Sequence, residues 1–207
     1  YLTLAQFLNR ADNCKDAIIS YQEALQVYVQ NRFPEQYAAV KNNLAIAYLS
    51  LSEAEDKAEN CRRALQSCSD SLLIRTLDRQ PEDYAATQNN LGNACLALAE
   101  EEEGLENCQR ALEAYQNALQ IYSLEKTPKQ YATTQNNLGN VYLTMGQSHD
   151  WPRNCMKAIR AAQEALRVFK LEDSPEDYAE AQGTLWLAYL TIAEIEYRAE
   201  NCLLALE

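Results

Sequence analysis

Four prolines, Pro34, Pro81, Pro128 and Pro175, stand 47 residues apart, and so do Tyr37, Tyr84, Tyr131 and Tyr178. The dipeptide Asn-Cys keeps the same step at Asn13-Cys14, Asn60-Cys61, Asn107-Cys108, Asn154-Cys155 and Asn201-Cys202, as does the leucine of Leu44, Leu91, Leu138 and Leu185. A period of this size restricts the chain to a tandem array in which each unit buries its apolar face against its neighbours. The 207 residues hold a partial unit at 1–33, full units at 34–80, 81–127 and 128–174, and an incomplete unit at 175–207. Both ends fall in mid-unit and neither shows a polar capping face, so the expectation is a fragment of a longer array that continues on at least one side.

Each unit reads as two helices. A proline such as Pro81 suits the first turn, where its missing N–H costs nothing, and Glu82 and Asp83 behind it complement the helix dipole. Ala85, Leu91, Ala94, Cys95 and Leu98 then recur near the 3.6 period, which predicts a first helix from Pro81 to about Glu102. Gly104 breaks it in this unit, and polar runs such as Glu55–Asn60 do so elsewhere. Asn107 is placed to cap a second helix with its side-chain oxygen. Cys108, Ala111, Leu112, Tyr115, Ala118, Leu119 and Tyr122 carry that helix to about Leu124. Scarce Gly and Pro, five of each, fit a helical chain.

The stretches Asn90-Leu91-Gly92-Asn93-Ala94 and Asn137-Leu138-Gly139-Asn140-Val141-Tyr142 resemble the first helix of a tetratricopeptide repeat. Ala111, Tyr115 and Ala118, like Ala17, Tyr21 and Ala24, resemble the small–aromatic–small series of its second helix. The likeness covers the whole chain. It implies an all-α, right-handed solenoid of antiparallel helix pairs that recognises proteins or peptides in a concave groove. The unit of 47 exceeds the family's usual 34, which implies longer helices and a wider solenoid. The family's first-helix tryptophan is replaced by Lys41, Gln88 and Gln135. Similar long repeats occur in signalling proteins beside a protease or nucleotide-hydrolysing domain, so the alternative implied role is a rigid spacer or regulatory arm acting on such an effector. Gly92 and Gly139, with Ala45, mark the closest helix approach in this family. Trp186 stands in their place in the last unit, and two expectations remain open there: that Gly183 makes room for the indole, or that the helix shifts locally.

Other chemistry is set aside on the residues present. A net charge of −12 repels a phosphate backbone and excludes nucleic acid as the expected partner. No apolar run reaches the length of a membrane span. Equivalent cysteines in stacked units lie roughly 10 Å apart, the helix-packing distance, beyond the ~7 Å Cα limit of a disulfide. The seven cysteines therefore read as buried free thiols in a reducing compartment, and the expected location is cytoplasmic. The single histidine, His149, lacks a partner at metal spacing and reads as a surface residue, and no metal or other cofactor is expected. Glu100–Glu103 form a solvated helix end. The tyrosines mostly keep the repeat step and read as packing residues. No nucleophile or phosphate-loop motif appears, so no enzyme is expected.

The candidate binding residues come from the repeated strip. Asn42, Asn89 and Asn136 fall on the face that the resemblance assigns to the concave groove. Asn93 and Asn140 are common in the family, and Leu49, Leu96 and Leu143 lie two turns along the same strip. A row of amides, each with an acceptor and two donors, suits the backbone of an extended peptide, with apolar pockets beside it. The competing expectation is that the same amides bond neighbouring helices. Lys41 alone adds positive charge there, so capture of a C-terminal carboxylate is not expected. End-to-end self-association through the apolar faces of a cut array is a further expectation.

Overall fold

The computed structural model describes the backbone of residues 2–146 and 150–204 and the side chains of residues 10–146 and 150–194. Among them are eight helices and no strand: α1 (Leu2–Val27), α2 (Pro34–Ser52), α3 (Lys57–Leu72), α4 (Pro81–Ala99), α5 (Gly104–Ala118), α6 (Pro128–Gly146), α7 (Trp151–Leu166) and α8 (Pro175–Leu204). His149 and the side chains of Asn201 and Cys202 lie outside the described residues. The chain divides into two compact units, Tyr1–Ile121 with α1–α5 and Tyr122–Glu207 with α6–α8.

The helix starts follow from proline chemistry. α2, α4, α6 and α8 each begin on their proline. The amide of the tyrosine three residues on closes the first turn, Tyr37 to the Phe33 carbonyl at 2.9 Å and Tyr84 to that of Gln80 at 2.8 Å, with Tyr131 and Tyr178 bonding to Thr127 and Ser174 in the same way. Proline has no amide to leave unpaired at that point, which is why the pattern recurs with it.

The breaks between paired helices differ from the sequence reading. α4 stops at Ala99 rather than Glu102, and α5 stops at Ala118 rather than near Leu124. The left-handed residue of the turn is not Gly104 but the acid before it: Asp56, Glu103 and Asp150, again 47 apart, take φ of 41°, 48° and 43°. Gly104 is the first residue of α5. Nor does Asn107 cap the helix. It lies inside α5, fully buried, and its Nδ2 donates back to the Glu102 carbonyl at 3.0 Å. Asn60 does the same to Glu55 at 2.8 Å. At both positions the amide fastens the turn from within the helix.

α1 and α8 run unbroken through the corresponding positions, Asn9 and Tyr197, so the incomplete units do not hold the two separate helices expected of every unit. Tyr197 is a poor left-handed residue.

In the first compact unit α2 lies against both α3 and α4; in the second, α6 lies against both α7 and α8. The cores are built of small residues, such as Ala38, Ala45, Cys61, Ala64 and Cys68, all inaccessible to solvent. Small side chains let helix axes approach, and the larger residues fill what remains. In the second unit Ala132, Ala165, Phe169 and Ala181 form one cluster, and Ala158, Ile159 and Ala188 another, with Tyr142, Leu143, Leu185 and Ile192 against it.

One expectation about α8 is corrected. Trp186 is 61 % exposed, and a Cβ added at Gly183 would meet nothing within 4 Å. Gly183 therefore opens no pocket for the indole. Thr184, one residue on, is the side chain that enters the interior.

Candidate functional site

The strip proposed from the sequence lies on α2, α4 and α6, and the structure divides it. Asn42 and Asn136 are buried, at 7 % and 3 % exposure. The Oδ1 of Asn42 accepts a hydrogen bond from Nδ2 of Asn90 at 3.0 Å. The Oδ1 of Asn136 accepts from the Thr184 hydroxyl at 3.1 Å, and that hydroxyl also lies 2.8 Å from the Oδ1 of Asn140. The two bonds are equivalent: the second residue of the Asn-Asn pair, or the threonine in its place, reaches the first asparagine of the preceding unit. Asn42 and Asn136 thus serve as rungs between repeats and offer no open amide to a partner, a correction to their placement as groove residues. A buried amide left without its partner costs about 1–3 kcal/mol, so such positions are held by folding itself.

The other candidates are partly buried. Asn89 and Asn93 lie on α4, and Asn93 accepts the Tyr115 hydroxyl at 2.7 Å. Leu49, Leu96 and Leu143 each remain half-buried at the same position of their helices. Leu143 also leans on the cluster of Ala158, Ile159 and Ala188. What the strip presents is one half-buried leucine per repeat, with Asn42 and Asn136 withdrawn into the packing and the side-chain oxygens of Asn93 and Asn140 accepting from Tyr115 and Thr184. Lys41, the cation beside the strip, holds Asp70 at 2.7 Å and lies over the Tyr37 ring. Burial pulls its pKa down, but the bond to Asp70 and that group's charge leave it raised.

Of the seven thiols read from the sequence as buried and free, five are so, Cys14 is more open, and Cys202 lies outside the described side chains. Cys61, Cys68, Cys95, Cys108 and Cys155 are buried, Cys14 is half-buried, and none of these six is in a disulfide. Burial pushes Cys68 up to about 12 and Cys95 and Cys108 up to about 11, and it raises Cys61 and Cys155 as well. A nucleophilic cysteine needs the opposite shift. Among the described residues no three His, Cys, Asp or Glu side chains gather at metal-binding distance. No described helix is long and apolar enough to cross a membrane.

A feature absent from the sequence reading is a repeated ion-pair ladder. Arg10 pairs with Glu53 at 2.7 Å and Lys15 with Glu55 at 2.8 Å. One period on, Lys57 pairs with Glu100 and Arg62 grips both oxygens of Glu102 at 2.9 and 3.0 Å. Glu100 and Glu102 thereby join α3 to the turn ahead of α5 rather than standing as a free acidic cluster. The Arg62 hydrogen bond holds the Glu102 carboxyl below its usual pKa. These groups are exposed, so their contribution to stability is small. The signal was there in the 47-residue spacing of Arg10 with Lys57 and of Glu53 with Glu100.

Comparison with protein-family models, with characterised proteins and with solved structures gives no match to the chain.

Proposed function

We propose that the chain is a non-catalytic scaffold of tetratricopeptide type, a right-handed solenoid that binds a protein or peptide segment along its first-helix strip. The observation that carries this reading is the strip itself. With the rungs at Asn42 and Asn136 withdrawn, Leu49 and Leu96 stay half-buried in the first compact unit and Leu143 in the second, at the same position of each first helix. Half-buried leucines recurring once per repeat suit an extended segment, which needs pockets for alternate side chains. The shielded thiols fit a reducing compartment and a cytoplasmic location. A net charge of −12 favours basic over acidic segments.

The test is retention from a native lysate by the wild-type chain and by a Leu49→Ser, Leu96→Ser variant whose helicity and melting temperature are verified. A partner held by the wild type and lost by the variant supports the strip. A partner held equally by both sinks it. A second reading, the spacer or regulatory arm, is favoured by one observation: the recurrent amides and ion pairs are largely engaged in joining repeat to repeat, as a stiff arm requires. If neither form retains anything, that reading replaces the first, since function does not follow from the fold.

A further inference from the structure

Ile19 on α1 has equivalents at Gln66, Glu113 and Arg160, and all three are exposed polar side chains. The position faces solvent in every repeat, yet here it holds an isoleucine that is 53 % exposed. The exposure therefore belongs to the position, and the apolar residue is the exception. Ile19 forms part of one wall of a cavity of about 420 Å³ between α1 and α3, floored by Tyr48 and Leu51 of α2. Those two and Ile18, which also lines it, are buried. Every wall comes from α1, α2, the turn after α2 or α3, all within the first compact unit. A volume of this size suits a small organic molecule.

The charged groups that line the cavity select the ligand. Lys15 is held by Glu55 at 2.8 Å, and Arg63 by Glu59 at 2.9 Å, with the Arg63 guanidinium 5.8 Å from the centroid of the Tyr48 ring. The Tyr48 hydroxyl accepts from Nε2 of Gln22 at 3.2 Å. Both cations are thus neutralised, and the floor is fixed in place. The remaining lining charge is Asp56, exposed in the left-handed turn before α3, where its side chain makes no cap and no ion pair among the described residues. An anion entering here would have to compete with Glu55 and Glu59 for their partners. A cation meets a carboxylate that is not engaged. Ile18, Ile19 and Leu51 supply apolar surface beside it, so the matching ligand has an apolar body and one positive end.

We propose that the α1/α3 cavity is a binding site for a small amphipathic cation, an aryl-alkyl body carrying one ammonium group. It goes beyond the strip reading, and none of the strip's candidate residues lines it, so either fails without the other. The probe is phenethylammonium, titrated into the intact chain with isotope-labelled isoleucine methyl groups and read by NMR. Saturable shifts at Ile18 and Ile19 are expected, with weaker binding by the neutral phenethyl alcohol and by the anionic hydrocinnamate. Asp56→Asn keeps a residue that tolerates the left-handed turn. It is expected to weaken the cation by about threefold, the scale of one exposed ion pair, and to leave the alcohol unchanged. Ile19→Gln, which installs the residue found at Gln66, weakens cation and alcohol alike. Melting curves verify that each variant is folded. Absence of saturable shifts at Ile18 and Ile19 overturns the proposal. So does hydrocinnamate binding as tightly as the cation, or cation binding indifferent to Asp56→Asn.

Discussion

Gly92 and Tyr115 are matched in size: a Cβ on residue 92 would fall 2.5 Å from Cε1 of the fully buried tyrosine ring. One repeat earlier the same two positions hold Ala45 and Cys68, both also fully buried. In these two repeats the larger residue on the first helix goes with the smaller on the second; the third holds Gly139 and Ala162, and there the Thr184 Cγ2 lies 2.9 Å from where a Cβ on Gly139 would fall. Gly92→Ala is expected to destabilise the chain by about 1–3 kcal/mol through overpacking. Adding Tyr115→Cys recovers part of that loss, since it recreates the Ala45–Cys68 pair. A double-mutant cycle on urea-unfolding midpoints measures the coupling. Purely additive effects would show that the two residues do not constrain each other.

The bond from Asn90 to Asn42 predicts a different behaviour. Asn42→Ala removes the acceptor and leaves the Asn90 amide to find water or remain unpaired, at about 1 kcal/mol. Asn90→Ala alone leaves the Asn42 oxygen buried at comparable cost, while the double variant is expected to lose less than the two losses added together. Thermal melts of the four forms check this. A loss near zero for Asn42→Ala would remove the residue from the packing and return it to the strip as a binding group.

The sequence period made the helical pairs legible because proline carries an unambiguous backbone consequence. Pro34, Pro81, Pro128 and Pro175 open helices as their chemistry requires. What was less legible depends on three-dimensional register. The rung between Asn42 and Asn90 spans 48 residues, one more than the period. Comparison of equivalent positions therefore pairs Asn42 with Asn89 and hides the bond. The left-handed turn was hidden too, because Asp56, Glu103 and Asp150 are ordinary loop acids by composition, and the adjacent Gly104 drew the assignment. Asn107 looked like a cap because a cap and a turn fastener are both asparagines near a helix start. Trp186 misled in another way: a large residue in place of a glycine suggested accommodation, whereas the side chain turns out to solvent.

The buried thiols give the chain a directional response to pH. Their reference pKa is 9.0, whereas the fold holds Cys68 up to about 12 and Cys95 and Cys108 up to about 11 because burial penalises the thiolate. Below pH 9 both states keep these protons and the thiols contribute no pH dependence. Above it the unfolded chain releases protons that the fold retains, so the unfolded state gains and stability falls as pH rises toward the folded values. Urea midpoints are therefore expected to be flat in this respect from pH 7 to 8 and to drop from pH 9 upward. Tyrosine and lysine titrate in the same range, so the comparison that isolates the thiols is with a Cys68→Ala, Cys95→Ala double variant. Its alkaline slope is expected to be shallower than that of the wild type. Equal slopes would mean that the thiols are already ionised, or already hydrated, in the folded chain. Alkylation at pH 8 supplies an independent reading: half-buried Cys14 reacts first, and Cys61, Cys68, Cys95, Cys108 and Cys155 react only as fast as the surrounding helices open.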